Sequence, residues 1–427
     1  MSHAVVASRE LLPLIVQFQH GIFNELRPFV PAIYANNFDM FPFTQMTFVG
    51  CYSMPIEGKL ETDLTSFDQV FRPYYAQYGL AGVDKLLECF PALRTIVMAY
   101  SARFGHLELL THVHTGEDFF RGMPTLCDLA ARHGHCDVTD FLITHRYRIC
   151  SLDVPAASGH LAVLQRLHAA QGFATPRAMD DAAARGHFQV VKYLHENRQE
   201  GCTTAAMDGA AANGHFAIVA FLHLHRREGC TEAALDQAAA HGHVQIVRFL
   251  LYNRFERGTM GLVDRVAAAG HLAVLKMLHE HGMDCTVAAM DQAARHGHLD
   301  VIEFLHANRD EGCTTWAMDA AAEHGFVDVV RFLHSSRQEG CTPFAMDRAA
   351  KNGFIQVVAF LHANRTEGCT TNAIDWAAQN GQLDVVAYLC KHRQEGYTER
   401  AVTDAKTMGH DKVVELLEQF PSLLQSP

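Results

Sequence analysis

"GHLDVIEFLHANRDEGCTTWAMDAAAEHG", residues 297–325, decides the fold of this chain. It sets Cys, His, Asp and Glu close together, the residue types that bind metals and carry acid/base chemistry. Whether they form a site or belong to the framework depends on how often the stretch recurs. Aligning its opening glycine finds twelve equivalents, from Gly105 through Gly297 to Gly409, at spacings of 25 to 29 residues, most of them 28. Self-similarity of that kind marks a repeat array rather than a set of globular domains.

Each unit reads as two short helices. In "TTWAMDAAAEHG" the apolar Met318, Ala321 and Ala322 fall on one helical stripe, with Thr314 or Thr315 available to cap the start. Asp319 lies in the first turn, where the helix dipole favours negative charge. The glycine that follows suits the left-handed residue ending a helix. "LDVIEFLHANR" then carries Leu299, Val301, Ile302, Phe304 and Leu305, an apolar band wide enough to need cover on two sides. Stacking of neighbouring repeats supplies that cover. Alanine pairs such as Ala210–Ala211 and Ala321–Ala322 let backbones approach closely.

"AMDQAARHGHLDVIEFLHANRDEGCT" resembles an ankyrin repeat: the Ala-Ala, Gly-His and Val-Val positions match in nearly every unit from Cys127 to Leu389. The resemblance implies an all-α solenoid of about twelve helix-turn-helix repeats, a non-catalytic scaffold that binds a protein partner on its concave helix face. Two features depart from the family. x-Ala-Met-Asp replaces the TPLH start, and the period is about five residues short, so the β-hairpin fingers are shortened or absent. Other repeat classes fit less well: tetratricopeptide and HEAT units are longer, and no unit has a leucine-rich strand motif.

The reactive-looking side chains form columns. Six cysteines (Cys202, Cys230, Cys285, Cys313, Cys341 and Cys369) share one repeat position, and stacked helices about 10 Å apart keep them from pairing with one another. Cys51, Cys89, Cys127, Cys136, Cys150 and Cys390 show no motif. Histidines follow the marker glycine in nine units and close the second helix in seven, as at His306. Asp128, Asp153, Asp180, Asp208, Asp236, Asp264, Asp291, Asp319, Asp347 and Asp375 all stand six residues before the marker glycine. Ten like environments suit a structural ladder, each Asp accepting hydrogen bonds from turn amides or an adjacent His. Arg198, Arg309, Arg337, Arg365 and Arg393 each precede a Glu by two residues, a local charge pair. No metal site, cofactor or catalytic residue is expected.

Partner-contact candidates are the residues that vary at the start of the first helices: Trp316, Phe344, Trp376, Arg348, Gln292, Asn372 and Gln237. Aromatic residues and arginine dominate interface energetics. The formal net charge of −12 disfavours nucleic acid and anionic membranes as partners. A weak apolar N-terminal run with no basic flank and no stretch long enough to span a bilayer give a monomeric cytoplasmic protein, with the nucleus as the alternative. Residues 1–80, rich in aromatics, read as a non-repeat cap region, and residues 81–427 as the solenoid with its C-terminal cap. "LLPLIVQFQHGIFNEL", residues 11–26, weakly resembles an F-box, which gives the alternative function: a substrate adaptor whose N-terminal segment contacts a ubiquitin ligase.

Overall fold

A computed structural model describes Leu26, Phe29 and residues 54–114 and 124–421. The chain divides into two compact units, Met1–Thr203 and Thr204–Pro427. Among the described residues it is all-helical, and twelve helix pairs follow one another in sequence. The first unit holds four of them, from Arg94–Phe104 with Leu107–Val113 to Arg177–Ala184 with Phe188–Asn197. The second holds eight, from Thr204–Ala212 with Phe216–His225 to Glu399–Thr407 with Asp411–Leu417.

One pair shows why these residues fold this way. Helix Thr315–Glu323 starts at Thr314, whose backbone is extended (φ −104°, ψ 174°) and whose side chain accepts a hydrogen bond from the Trp316 amide. Of the two threonines the sequence offered, Thr314 is therefore the cap. The helix stops at His324, and Gly325 turns the chain at φ +80°. Only Phe326 separates this turn from the second helix, Val327–Ser336, which buries Val329, Val330 and Leu333 and ends in extended Arg337. Residues 337–342 then lead directly to Pro343–Lys351. Six residues are too few for a projecting hairpin, and no β-strand forms among the described residues.

Within each unit, first helices pack on first helices and second helices on second helices. The first helices lie closer together because their contact face is alanine. Ala238, Ala239, Ala293, Ala294, Ala321, Ala322, Ala349 and Ala350 are all fully buried. The second helices bring branched residues, such as Val301, Ile302 and Leu305, each contributing about 1.5–3 kcal/mol by burial before conformational entropy is subtracted.

The first unit has a different beginning. Helix Met54–Cys89 breaks at Gly79 (φ 59°, ψ −151°). Its Phe67 and Phe71 stack at 5.0 Å between ring centroids and close around Phe29 and Tyr100. The Tyr100 hydroxyl donates to Asp68 (2.9 Å), and burial together with that carboxylate pushes its pKa up to about 12. Residues 11–25, which carry most of the F-box resemblance, lie outside the described residues.

Candidate partner-binding surface

The aspartate column binds each repeat to the next. In the first unit the amide and hydroxyl of Thr175 donate to Asp153 (2.9 and 2.8 Å), and those of Thr203 donate to Asp180 (2.8 Å each). In the second unit Asp208, Asp236, Asp264, Asp291, Asp319, Asp347 and Asp375 grip Thr231, Thr259, Thr286, Thr314, Thr342, Thr370 and Thr398 in the same two-pronged way. At Thr231, Thr286, Thr314, Thr342 and Thr398 the gripped threonine is itself the cap of the next first helix. One carboxylate thus fixes both the position of the next repeat and the start of its helix. The donors to these carboxylates are threonine amides and hydroxyls rather than the neighbouring histidines. Burial raises the pKa of Asp319, Asp347 and Asp375, and the threonine hydrogen bonds oppose that rise.

Within each unit, histidines that follow a marker glycine lie against the marker glycine of the preceding repeat, as His187 does against Gly159 and His271 against Gly242. His271 Nε2 donates to the Ala240 carbonyl (3.1 Å), and His298 Nε2 to that of Ala268 (3.1 Å). A Cβ on Gly270 would meet His298 at 2.6 Å, so glycine is required by contact as well as by backbone angle. Phe326 and Phe354 fill the same place by shape alone. The second histidine column presents its rings edge-on to an aromatic of the next repeat: His279 to Phe304 at 5.5 Å, His334 to Phe360 at 5.5 Å. Nδ1 of His223, His279, His334 and His362 is buried and meets no hydrogen-bond partner among the described residues.

The arginines pair with the glutamates two residues on, as in Arg309–Glu311 (2.6 Å) and Arg337–Glu339. Each pair lies over the loop of the preceding repeat, where a Cβ on Gly312 would strike the Arg337 guanidinium. Beneath them sit the column cysteines, whose thiols burial pushes up to about 11 at Cys285 and Cys341 and about 12 at Cys313 and Cys369. Thiols of that kind stay protonated and unreactive at neutral pH. Among the described residues no group of three or more His, Cys, Asp or Glu side chains is placed to hold a metal ion.

The Arg–Glu pairs make stability depend on acid. The Arg337 hydrogen bond, partly opposed by burial, holds Glu339 down to about 2, and Glu311 and Glu367 are lowered by their own arginines. A carboxylate whose folded pKa lies below its unfolded value stabilises the fold above the ordinary Glu pKa, and that stability is lost as pH falls through the folded value. The buried aspartates have the opposite sign: they lose stability as pH rises through their folded pKa. Wild type is therefore expected to lose melting temperature steadily from pH 4.5 towards 2. A Glu311→Gln/Glu339→Gln/Glu367→Gln variant should show a shallower decline by scanning calorimetry. Parallel curves would remove the pairs from the account.

The varied positions fall into two adjacent columns on the first helices. Trp316, Phe344 and Asn372 stand nine residues before the marker glycine, and Gln237, Gln292, Arg348 and Trp376 stand five before it. Phe344 is half-exposed, with the Arg348 guanidinium 5.7 Å from its ring centre. Arg348 also reaches Glu323 (2.6 Å), and Lys351 sits 5.9 Å above the Trp376 ring. Trp316, Gln292 and Asn372 are partly exposed, and Gln237 is open to solvent. The structure thus gathers Phe344, Arg348, Lys351 and Trp376 into one patch, while Gln237 and Gln292 lie several repeats away. Sequence reasoning missed Lys351. It also missed Phe255 and Met260, which are almost wholly exposed in the loop before Leu262–Ala268. The signal was present there: "RFERGTMG" puts Arg-Gly in place of the Gly-Cys of the Arg-x-Glu-Gly-Cys-Thr pattern.

Comparison with known families finds a match to ankyrin repeats (3 copies) over residues 179–259 and to ankyrin repeats (many copies) over residues 263–306. No curated protein matches the chain. Ankyrin repeats mediate protein–protein interaction and are typically non-catalytic, and no helix among the described residues is long and apolar enough to cross a membrane. Family match and repeat geometry agree: residues 179–306 carry ankyrin repeats.

Proposed function

We propose that the first-helix side of residues 316–376 is the partner-binding surface of a non-catalytic scaffold, and that its partner is a protein segment carrying carboxylates beside apolar side chains. The observation that carries this reading is the pairing of cations with solvent-facing rings, Arg348 with Phe344 and Lys351 with Trp376. Such pairs offer apolar area and positive charge together, the composition of interface hot spots. They stand on a chain of net charge −12, so an acidic segment meets attraction here and repulsion over much of the remaining surface. Rigid helices carry these side chains, so binding orders little of the scaffold. Trp316 and Asn372 flank the patch and complete its contact area.

The test is proximity labelling in the native cell with wild type, Trp316→Ala/Phe344→Ala/Trp376→Ala and Arg348→Glu/Lys351→Glu forms. Both variants should lose the same set of labelled proteins while melting within a few degrees of wild type. A purified member of that set should bind wild type more weakly as salt rises. Identical labelling by all three forms would sink the proposal.

A further inference from the structure

Two cysteines outside the column meet. Cys127 Sγ lies 3.1 Å from Cys150 Sγ, and both side chains are buried, at 1% and 3% exposure. The repeat pattern accounts for the meeting. In the regular units a methionine stands 23 residues before a column cysteine: Met179 before Cys202, Met207 before Cys230, Met290 before Cys313, Met318 before Cys341. Cys127 occupies the methionine place, since Cys127-Asp128 aligns with Met318-Asp319, and Cys150 follows at the same spacing of 23. One substitution at a repeated spacing has therefore put a second thiol where the regular units have a thioether. Cys127 belongs to helix Pro124–Arg132, and Cys150 lies just before helix Asp153–Ser158 of the following repeat.

We propose that Cys127 and Cys150 form an oxidation site that a hydroperoxide converts to a disulfide, covalently joining two successive repeats of the first unit. A nonbonded pair at 3.1 Å needs about 1 Å of closure to reach the bonded distance near 2.05 Å. Loss of the first proton, from Cys127, is assisted because the Cys150 thiol donates to the thiolate, against the opposing effect of burial; that hydrogen bond and burial together keep the Cys150 thiol protonated. The Cys127 thiolate attacks one peroxide oxygen and breaks the O–O bond. Cys127 becomes a sulfenic acid, and the departing oxygen takes a proton to leave as water. The Cys150 sulfur then attacks the Cys127 sulfur, and the hydroxyl leaves as a second water with the Cys150 proton. Two thiols and one hydrogen peroxide thus give one disulfide and two waters, with two electrons passing from sulfur to oxygen. Burial selects an oxidant of this size over a bulky disulfide. The bond would close a loop of 22 intervening residues, a cross-link long enough to raise stability measurably.

The experiment treats the full folded chain with hydrogen peroxide, blocks remaining thiols after denaturation, and maps the digest by mass spectrometry. Wild type should lose two of its twelve thiols first, yield a Cys127 peptide joined to a Cys150 peptide, and melt several degrees higher until reduced. Cys127→Met, which restores the residue of the regular units, should fold normally, give no such peptide and show no rise in melting. Recovery of Cys127 and Cys150 unlinked while other cysteines of folded wild type oxidise would overturn the proposal. So would linkage that appears only after unfolding.

Discussion

Replacing Asp291 and Asp319 with alanine is expected to lower the stability of the second unit by about 5 kcal/mol and its melting temperature by roughly 10 °C or more. Each substitution removes two hydrogen bonds to the next repeat, from the amide and hydroxyl of Thr314 or Thr342, and leaves those donors without their acceptor. Unsatisfied donors cost about 1–3 kcal/mol apiece, which is why the truncation outweighs the net worth of the bonds themselves. The charge is the smaller part of the effect. Burial disfavours the Asp319 carboxylate, so asparagine, which keeps one acceptor and sheds that penalty, should recover about half the loss. Thermal melts of the two double variants check this. Equal melting of wild type and the alanine form would show that the column does not hold repeats together.

The second large effect is expected from the marker glycines. Gly325→Ala should cost about 3 kcal/mol, and Gly409→Ala about 1 kcal/mol. Both residues have φ near +80°, so both bear the left-handed penalty. They differ in what surrounds them. A Cβ at position 325 would lie 2.6 Å from the Phe354 ring of the next repeat, whereas at 409 nothing stands within 4 Å. The difference between the two variants therefore isolates the inter-repeat contact from the backbone term. Equal losses would mean that the glycines serve the turn alone.

The helix pairs were legible because spacing carries them. A left-handed glycine, an alanine pair and a Val-Val step recur with so little variation that the twelve units can be counted before any coordinates are seen. The six-residue linkers were legible from the shortened period. What the sequence could not give was the partner of each polar column. Asp319 and Thr342 are 23 residues apart, and nothing in the chain distinguishes that pairing from one between Asp319 and a nearer histidine. The Cys127–Cys150 contact was hidden for a related reason. It belongs to the repeat's Met-to-Cys register, and the short 25-residue spacing from Gly134 to Gly159 disguises the alignment. At the candidate surface, variation pointed to Phe344 and Trp376. The cations above them come from a neighbouring turn or a preceding repeat, so their stacking follows from packing.

The most direct test of the ladder is amide hydrogen exchange at Thr314, Thr342 and Thr370, residue by residue, in the native protein. Amides at a helix cap or just before it have no acceptor within their own helix and ordinarily exchange readily. Here each donates at 2.8 Å to an aspartate of the preceding repeat. The account predicts protection at all three matching that of the helix interiors, lost at Thr342 alone in an Asp319→Ala variant. Rapid exchange at these threonines in wild type would contradict it.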